Sequence, residues 1–489
     1  MQPPRTLRYE GSEAEAHLYR HYNNKQNNMQ DSSKEKIIVR FPPSPTGNLH
    51  IGNIRTFLFS YLFARKHGGK IVMRFEDTDR ERSKKEYEDV ALYTLEQLGL
   101  DFDEGPYRQS ERERRYAEVI EQLIKSGHAY EGEESTHSTS SGQEDGSGDK
   151  VIRLKNPNKQ VTFTDAVRGE VSIDTTDFGD FVIARSKTNP LYHLTVVVDD
   201  IYMGVTHVIR GEDHITSTPR QMLLIEALGG TVPNYTHLPL IIGADKKKLG
   251  KRHGAVTYAE FESQGYLPEA IINYLALLGW NPGDDREFFT KDELIKEFSL
   301  ERINNSPAMF NYDKLDSINK HYINELSNSR FEELVTSRLS PDFVDVLNSK
   351  NIEVRSIVIH EIIKERISKF SDVEQMEKEG ELRWIFKIGE YDADKLVWRK
   401  GTREGTIKHL NLVLEVLSEL DGSDESWNVD NIKNAIWGYA EQEGKGDVLW
   451  PLRYSLTGME RSPDPITVAV VLGKDDTLMR VQKAVEALS

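Results

Sequence analysis

The chain has 489 residues, 37% of them hydrophobic and 29% charged, which gives room for several domains and excludes a membrane-embedded body. No apolar run approaches the ~20 residues needed to span a bilayer, and the absence of cysteine excludes both a disulfide framework and a thiolate zinc site. The net charge of -17 argues against indiscriminate coating of nucleic acid, although an acidic body can still carry a local basic surface for one folded RNA.

Residues 1–35 are polar and Asn-rich, without the apolar centre of a secretory signal, and Glu10, Glu13 and Glu15 argue against a transit peptide. A disordered extension is expected there. Lys36 to Phe41 then gives a buried β-branched run, the composition a parallel strand favours. Pro42, Pro43 and Pro45 forbid helix, and Gly47 permits close backbone approach. From Ile54 the residues Phe57, Leu58, Tyr61 and Leu62 mark one helical face, which Gly68 and Gly69 end. Lys70 to Phe75 is the next strand, so the stretch predicts a βαβ unit. Ser44, Thr46, His50, Gly52 and Asn53 surround the turn and helix start, where outward backbone N–H groups favour an anion.

The string PSPTGNLHIG (Pro43 to Gly52), continuing into Arg74-Phe75-Glu76-Asp77-Thr78-Asp79, resembles class I aminoacyl-tRNA synthetases of the glutamyl, bacterial type. His50-Ile51-Gly52-Asn53 is similar to their HIGH signature, with Asn53 in place of its final histidine. That resemblance implies an α/β Rossmann-like catalytic domain with an inserted acceptor-binding domain, followed by an all-α anticodon-binding domain.

Further along, Lys84 to Gly99 reads as helix, and Tyr107 to Tyr130 as a helical segment whose Arg and Glu side chains form a solvated face. The tract from Glu131 to Lys150 is rich in Ser, Gly and Glu, with one histidine and no cysteine, and reads as a loop. Many members of the resembled family place a Cys/His zinc site here, so the expectation is that this chain has no structural zinc. Val151 to Ala184 is β-rich. Phe181 to Ala184, Leu194 to Val198, Val205 to Ile209 and His237 to Ile242 read as strands, with Asp199-Asp200 closing the second, and Thr218 to Leu228 as helix. His193, His207, His214 and His237 show no ligand spacing and are expected to be structural.

Lys246 to Gly254 carries five cations in seven positions, which in isolation reads as a solvated turn. After a buried strand it resembles the mobile KMSKS loop, with Lys248 and Lys251 at the positions that neutralise phosphate charge as it develops on ATP. Gly250 stands where serine is usual. Past the loop, Ile271, Tyr274, Leu275 and Leu278 fall at helical spacing. Beyond Asn324 repeated helical patterns, such as Val354 to Phe370 and Ile407 to Leu420, predict an all-α region; glutaminyl relatives carry β-barrels there. Candidate tRNA contacts are Lys364 and Arg366, then Arg399, Lys400 and Arg403, then Lys408 and His409, with a solvated face as the alternative for each.

The expected organisation is a polar extension over 1–35, catalytic halves at 36–106 and 181–254, an acceptor-binding insertion at 107–180, a linking helical domain at 255–323 and an anticodon-binding domain at 324–489. The resemblance implies ATP contacts from Thr46, His50, Gly52, Asn53, Lys248 and Lys251, with His50, Asn53, Lys248 and Lys251 catalytic. It implies a glutamate pocket of Arg40, Ser44, Glu76, Tyr192 and Arg210. A substrate with two carboxylates independently calls for arginines, and Arg40 and Arg210 both fall near strand ends, where ligands of such sheets bind. The implied enzyme is a cytoplasmic, monomeric ligase using L-glutamate, ATP with Mg2+, and tRNA(Glu). A non-discriminating form that also charges tRNA(Gln) is the near alternative, and an inactive tRNA-binding paralogue the distant one.

Overall fold

The computed structural model describes residues 36–133, 150–247, 249, 257–386, 392–399, 401–423 and 425–489. These fall into two compact units. One holds the chain up to Ile241 with Gly279–Asp285 and Asp292–Ala308; the other holds Ile242–Leu278, Arg286–Lys291 and Met309–Ser489.

The first unit is built on parallel strands. β1 (Ile38–Phe41), α1 (Ile51–Lys66) and β2 (Lys70–Phe75) form the expected βαβ unit, with Ile38 opposite Lys70 and Phe41 opposite Met73. α1 buries Ile54, Phe57, Leu58 and Leu62 against the sheet, and Phe57 stacks on Phe41 at 4.4 Å. After α2 (Lys85–Gln97), β3 (Glu104–Arg108) adds to β2 in parallel. The segment expected to be helical from Tyr107 therefore starts as strand, and its helix, α3, covers only Glu113–Lys125.

Antiparallel pairing follows. β4 (Ala129–Glu133), β5 (Lys150–Leu154), β8 (Phe181–Ser186) and β9 (Asn189–Pro190) make one sheet. β6 (Gln160–Asp165) and β7 (Gly169–Asp174) make a hairpin that lies beside a parallel pair. That pair is β10 (His207–Gly211) and β11 (Asn234–Leu238), with Arg210 opposite His237 and Asp165 of β6 opposite Tyr235. β11 thus begins at Asn234 and ends before Pro239, which has no N–H to continue the ladder, and the expected run from His237 to Ile242 resumes only as the two-residue strand Ile241–Ile242. Thr206 fastens β10 to β1: its N–H donates to Ile38 O at 2.9 Å, and its Oγ1 accepts from Ile38 N at 2.9 Å.

The run Leu194 to Val198, expected to be a strand, is helix. α4 (Tyr192–Met203) ends at Gly204 in the left-handed conformation, φ 67°. Residues Leu194 through Asp200 are all buried, so over that stretch the helix has no solvent face and shows no one-sided periodicity, although Tyr202 near its end is exposed. Three consecutive valines then imitate a parallel strand. α5 (Thr218–Ala227) packs near it.

The second unit is almost wholly helical past Asn311. Its core includes Phe331, Val358, Leu410, Leu452 and Val471. Helix Tyr312–Glu325 carries buried Asn319, whose Oδ1 accepts from Leu267 N at 2.8 Å and whose Nδ2 donates to Ser368 O at 2.6 Å. In the last helix, Lys474–Leu488, buried Arg480 donates to Trp384 O at 2.8 Å and Leu456 O at 2.7 Å and pairs with Asp476 at 2.8 Å. Orphan carbonyls and a buried charge are satisfied together.

Candidate active site

His50 occupies the N-cap of α1. Its Nδ1 accepts from Gly52 N at 3.0 Å, and the Asn53 Oδ1 accepts from His50 N at 3.3 Å, a reciprocal capping box. An accepting Nδ1 fixes the imidazole proton on Nε2. The structure thus gives Asn53 a definite structural role beside any contact to a ligand. Gly52 is tightly constrained, since a Cβ there would sit 2.8 Å from His50 Cε1. Thr46 N donates to Ser44 O at 2.9 Å, making the turn compact, while Pro43 O accepts from Glu76 N at 3.0 Å. That bond draws the exposed Ser44 toward the end of β2 and Glu76.

Arg40 from β1, Glu76 just beyond β2, Tyr192 at the start of α4 and Arg210 from β10 come together at the carboxyl ends of the parallel strands. Burial pushes the Glu76 carboxyl up to about 7, against the opposing pull of Arg74 and Arg40. Burial also raises the Tyr192 phenol to about 12, helped by Glu76 and opposed by Arg210 and Arg40. These mutual influences mark four groups around one small volume. The Tyr192 hydroxyl lies 3.5 Å from His214 Nδ1, at the outer limit of a hydrogen bond.

Arg210 is 5% exposed. Its Nε donates to His237 Nε2 at 3.1 Å, Nη1 to Gln221 Oε1 at 2.7 Å and Nη2 to Thr218 Oγ1 at 2.8 Å. Its guanidinium also lies over the Tyr235 ring at 5.2 Å. Every one of these partners is uncharged, and among the described residues no carboxylate lies within ion-pair distance. Burial accordingly pulls the Arg210 pKa down. A buried cation held in shape by neutral acceptors is a site for an anion.

Below this pocket lies a charge network that the sequence reading did not single out. Fully buried Arg74 pairs with Asp200 at 2.9 Å, Glu76 at 3.2 Å and Asp199 at 3.7 Å. Asp200 also meets Arg40 Nε at 3.4 Å, and Asp199 accepts from Arg112 Nε at 2.7 Å and the Tyr116 hydroxyl at 2.7 Å. The charge run in Tyr107 to Tyr130, read as a solvated face, thus has one member, Arg112, turned inward. An Asp-Asp pair inside an apolar run was the available signal, because a carboxylate there must meet a cation.

Lys248, Lys251 and the Gly250 departure lie outside the described residues, as do the 1–35 extension and most of the Ser/Gly/Glu tract. The turn leading into the loop is described: Lys247 N donates to Asp245 Oδ1 at 3.1 Å, and Lys246 has φ 61°. Burial, reinforced by neighbouring arginines, holds the His193 and His214 pKa values down to about 4. Among the described residues no group of three His, Asp or Glu side chains is arranged to hold a metal.

Of the proposed RNA contacts, Arg366 pairs with Glu381 at 2.8 Å, Lys408 with Glu443 at 3.4 Å, and Arg403 donates to Ala487 O at 3.1 Å. Lys364 donates to Asn324 O at 3.4 Å, and His409 Nδ1 meets the Tyr439 hydroxyl at 2.8 Å. Arg399 lies on the Trp398 ring at 4.6 Å, and Lys400 is outside the described residues.

Residues 36–145 and 133–317 match the family model of the class I tRNA synthetase (E and Q) catalytic domain, and residues 319–485 match an anticodon binding domain. A glutamate–tRNA ligase from Aquifex aeolicus is 40% identical over 484 residues, spanning 93% of this chain and 100% of the relative. One from Nitrosospira multiformis is 38% identical over 475 residues, spanning 92% and 99%. A crystal structure of a glutamate tRNA ligase from Elizabethkingia meningosepticum, in complex with its amino acid, superposes with a TM-score of 0.78 at 32% identity. It covers 93% of this chain and all of that one.

Proposed function

The chain belongs to the class I tRNA synthetases of the glutamate and glutamine group, and from that premise we propose how its own residues attach glutamate to tRNA(Glu). The activity is that of a glutamate–tRNA ligase: the α-carboxylate of glutamate attacks the α-phosphorus of ATP and pyrophosphate leaves, then a hydroxyl of the terminal tRNA ribose attacks the glutamyl carbonyl of the adenylate and AMP leaves. The nucleophile belongs to the substrate, so the protein positions groups and neutralises charge.

In this reading Arg210 and Arg40 receive the glutamate carboxylates, Glu76 the ammonium, and Tyr192 and Ser44 the remaining polar edges. His50, through its Nε2–H, and the α1 N-terminus contact the phosphates, with Thr46, Gly52 and Asn53 shaping that cradle. Lys248 and Lys251 close on the pyrophosphate. ATP enters as its magnesium complex, so the ion comes with the substrate, and zinc has no part. We place the enzyme in the cytoplasm as a monomer. The observation carrying the reading is the buried Arg210, surrounded only by neutral partners, in a pocket with Arg40, Glu76 and Tyr192.

The test offers the purified enzyme labelled glutamate with tRNA(Glu) and, separately, tRNA(Gln). Charging of tRNA(Glu) alone is expected. Charging of both would establish the non-discriminating form, and charging of neither, with no ATP–pyrophosphate exchange in the presence of tRNA, would overturn the reading in favour of a tRNA-binding protein.

A further inference from the structure

We propose that Asp165 and His237 are positioning residues for glutamate recognition: the Asp165 carboxylate fixes the His237 tautomer, and His237 in turn sets the plane of the Arg210 guanidinium. The proposal rests on the pocket reading given above. It concerns residues from two different strands, the last residue of β6 and the last but one of β11, neither of which supplies a pocket side chain.

The geometry dictates the direction of each bond. Asp165 Oδ2 lies 2.7 Å from His237 Nδ1, and both side chains are almost completely buried. Asp165 Oδ2 also accepts from the His237 backbone N at 3.0 Å, and its Oδ1 accepts from Val167 N and Arg168 N at 2.9 Å each. Burial alone would raise this carboxyl, but the His237 bond and the two amides hold it below the ordinary value. An ionised carboxylate can only accept, so His237 Nδ1 carries the proton and Nε2 is left as an acceptor. Arg210 Nε, which can only donate, points at that Nε2 from 3.1 Å. The Thr218 hydroxyl lies 3.1 Å from the same Nε2, and its proton has the His214 carbonyl available at 3.2 Å. Burial, with Arg210 nearby, depresses the His237 pKa and keeps the ring neutral.

The opposite tautomer would put an N–H against an N–H at the Arg210 Nε. The guanidinium would lose one of its three side-chain anchors and its fixed plane. A bidentate arginine–carboxylate contact depends on that plane. Asp165→Asn produces this inversion by chemistry alone. Two backbone amides face the Oδ1 position and one, His237 N, faces Oδ2, so the new NH2 takes the Oδ2 position, gives up the bond from His237 N and donates to His237 Nδ1.

The experiment compares Asp165→Asn with Arg210→Ala in the full-length enzyme, measuring KM for glutamate and for ATP, kcat, and thermal midpoint. For Asp165→Asn the expected result is a glutamate KM raised tenfold or more, with ATP KM and kcat within threefold of wild type. A glutamate KM within twofold of wild type, or equal rises in both KM values together with a lowered thermal midpoint, would overturn the proposal. If Arg210→Ala itself leaves glutamate kcat/KM within threefold, the pocket reading fails first and takes this proposal with it. Should Asp165→Asn not fold, 15N spectroscopy of histidine-labelled wild type decides, with the signal assigned by its loss in His237→Gln. A proton on Nδ1 supports the proposal, and a proton on Nε2 overturns it.

Discussion

The Nδ1 of His50 and the backbone amide of Gly52 stand 3.0 Å apart, so the residue proposed to face the phosphates is also the residue that starts the helix. Capping uses Nδ1, and the proposed substrate contact falls to the opposite side of the same imidazole, Nε2. Any change that tilts the ring to suit one task spoils the other. Gly52→Ala tests this directly, since its Cβ would meet His50 Cε1 at 2.8 Å and Nδ1 at 2.9 Å. The expected outcome is a rise in ATP KM of about tenfold, equivalent to ~1.4 kcal/mol, with glutamate KM unchanged, in ATP–pyrophosphate exchange.

Arg210→Ala removes the cation and leaves a substrate carboxylate unpaired in a dry pocket. A loss of about 3–5 kcal/mol is expected. That is roughly a hundred- to several-thousand-fold in glutamate kcat/KM. A loss below about threefold would take Arg210 out of the pocket.

The Glu76 carboxyl, pushed up to about 7 by burial, predicts a pH profile. Glutamate brings an ammonium that binds the ionised carboxylate, and lowering the pH through 7 protonates that carboxylate before substrate arrives. Glutamate KM is therefore expected to rise about tenfold between pH 8 and pH 6, while ATP KM stays flat. Glu76→Gln should give a high glutamate KM with no such slope. A slope retained in the variant would assign it to another group.

How much of this was legible beforehand differs by element. β1, α1 and β2 were readable because Ile54, Phe57, Leu58, Tyr61 and Leu62 keep helical spacing between two short β-branched runs, even though most of α1 is buried, and Gly68 and Gly69 mark the helix end. Arg40, Glu76 and Arg210 were named by the family resemblance, with residue type and, for the two arginines, nearby strand ends in support, and the fold brings them together. α4 was not readable, because burial on all sides erases the helical stripe. Arg74, Asp199 and Asp200 form one network across segments more than a hundred residues apart, a pairing no local pattern encodes. His237 illustrates the same limit: reading it as structural was sound, yet what it structures is the arginine opposite it in the next strand.

In the helical unit, Asn319→Ala would strip a part-buried amide and a part-buried carbonyl of a side-chain partner, the only one each has among the described residues. A stability loss of about 2–4 kcal/mol is expected from two unsatisfied groups, visible as a lower denaturation midpoint. Full retention of the midpoint would show that Leu267 N and Ser368 O find other partners.

Cysteine is absent from the chain, and the expected outcome of elemental analysis is a protein without stoichiometric zinc. Dialysis against a zinc-selective chelator should leave aminoacylation unchanged once magnesium is restored. Zinc lost in step with activity would contradict it.

Helix Tyr192–Met203 begins with a pocket residue and, two turns later, carries the carboxylates that neutralise Arg40, Arg74 and Arg112. The proposed substrate contact and the charge balance are therefore inherited together on one rigid rod. A designer wishing to turn this pocket toward another amino acid would have to exchange the rod as a cassette with its arginines. Point changes at Tyr192 alone would alter the lining of the proposed pocket and leave its frame of Arg40, Arg74 and the two carboxylates unchanged.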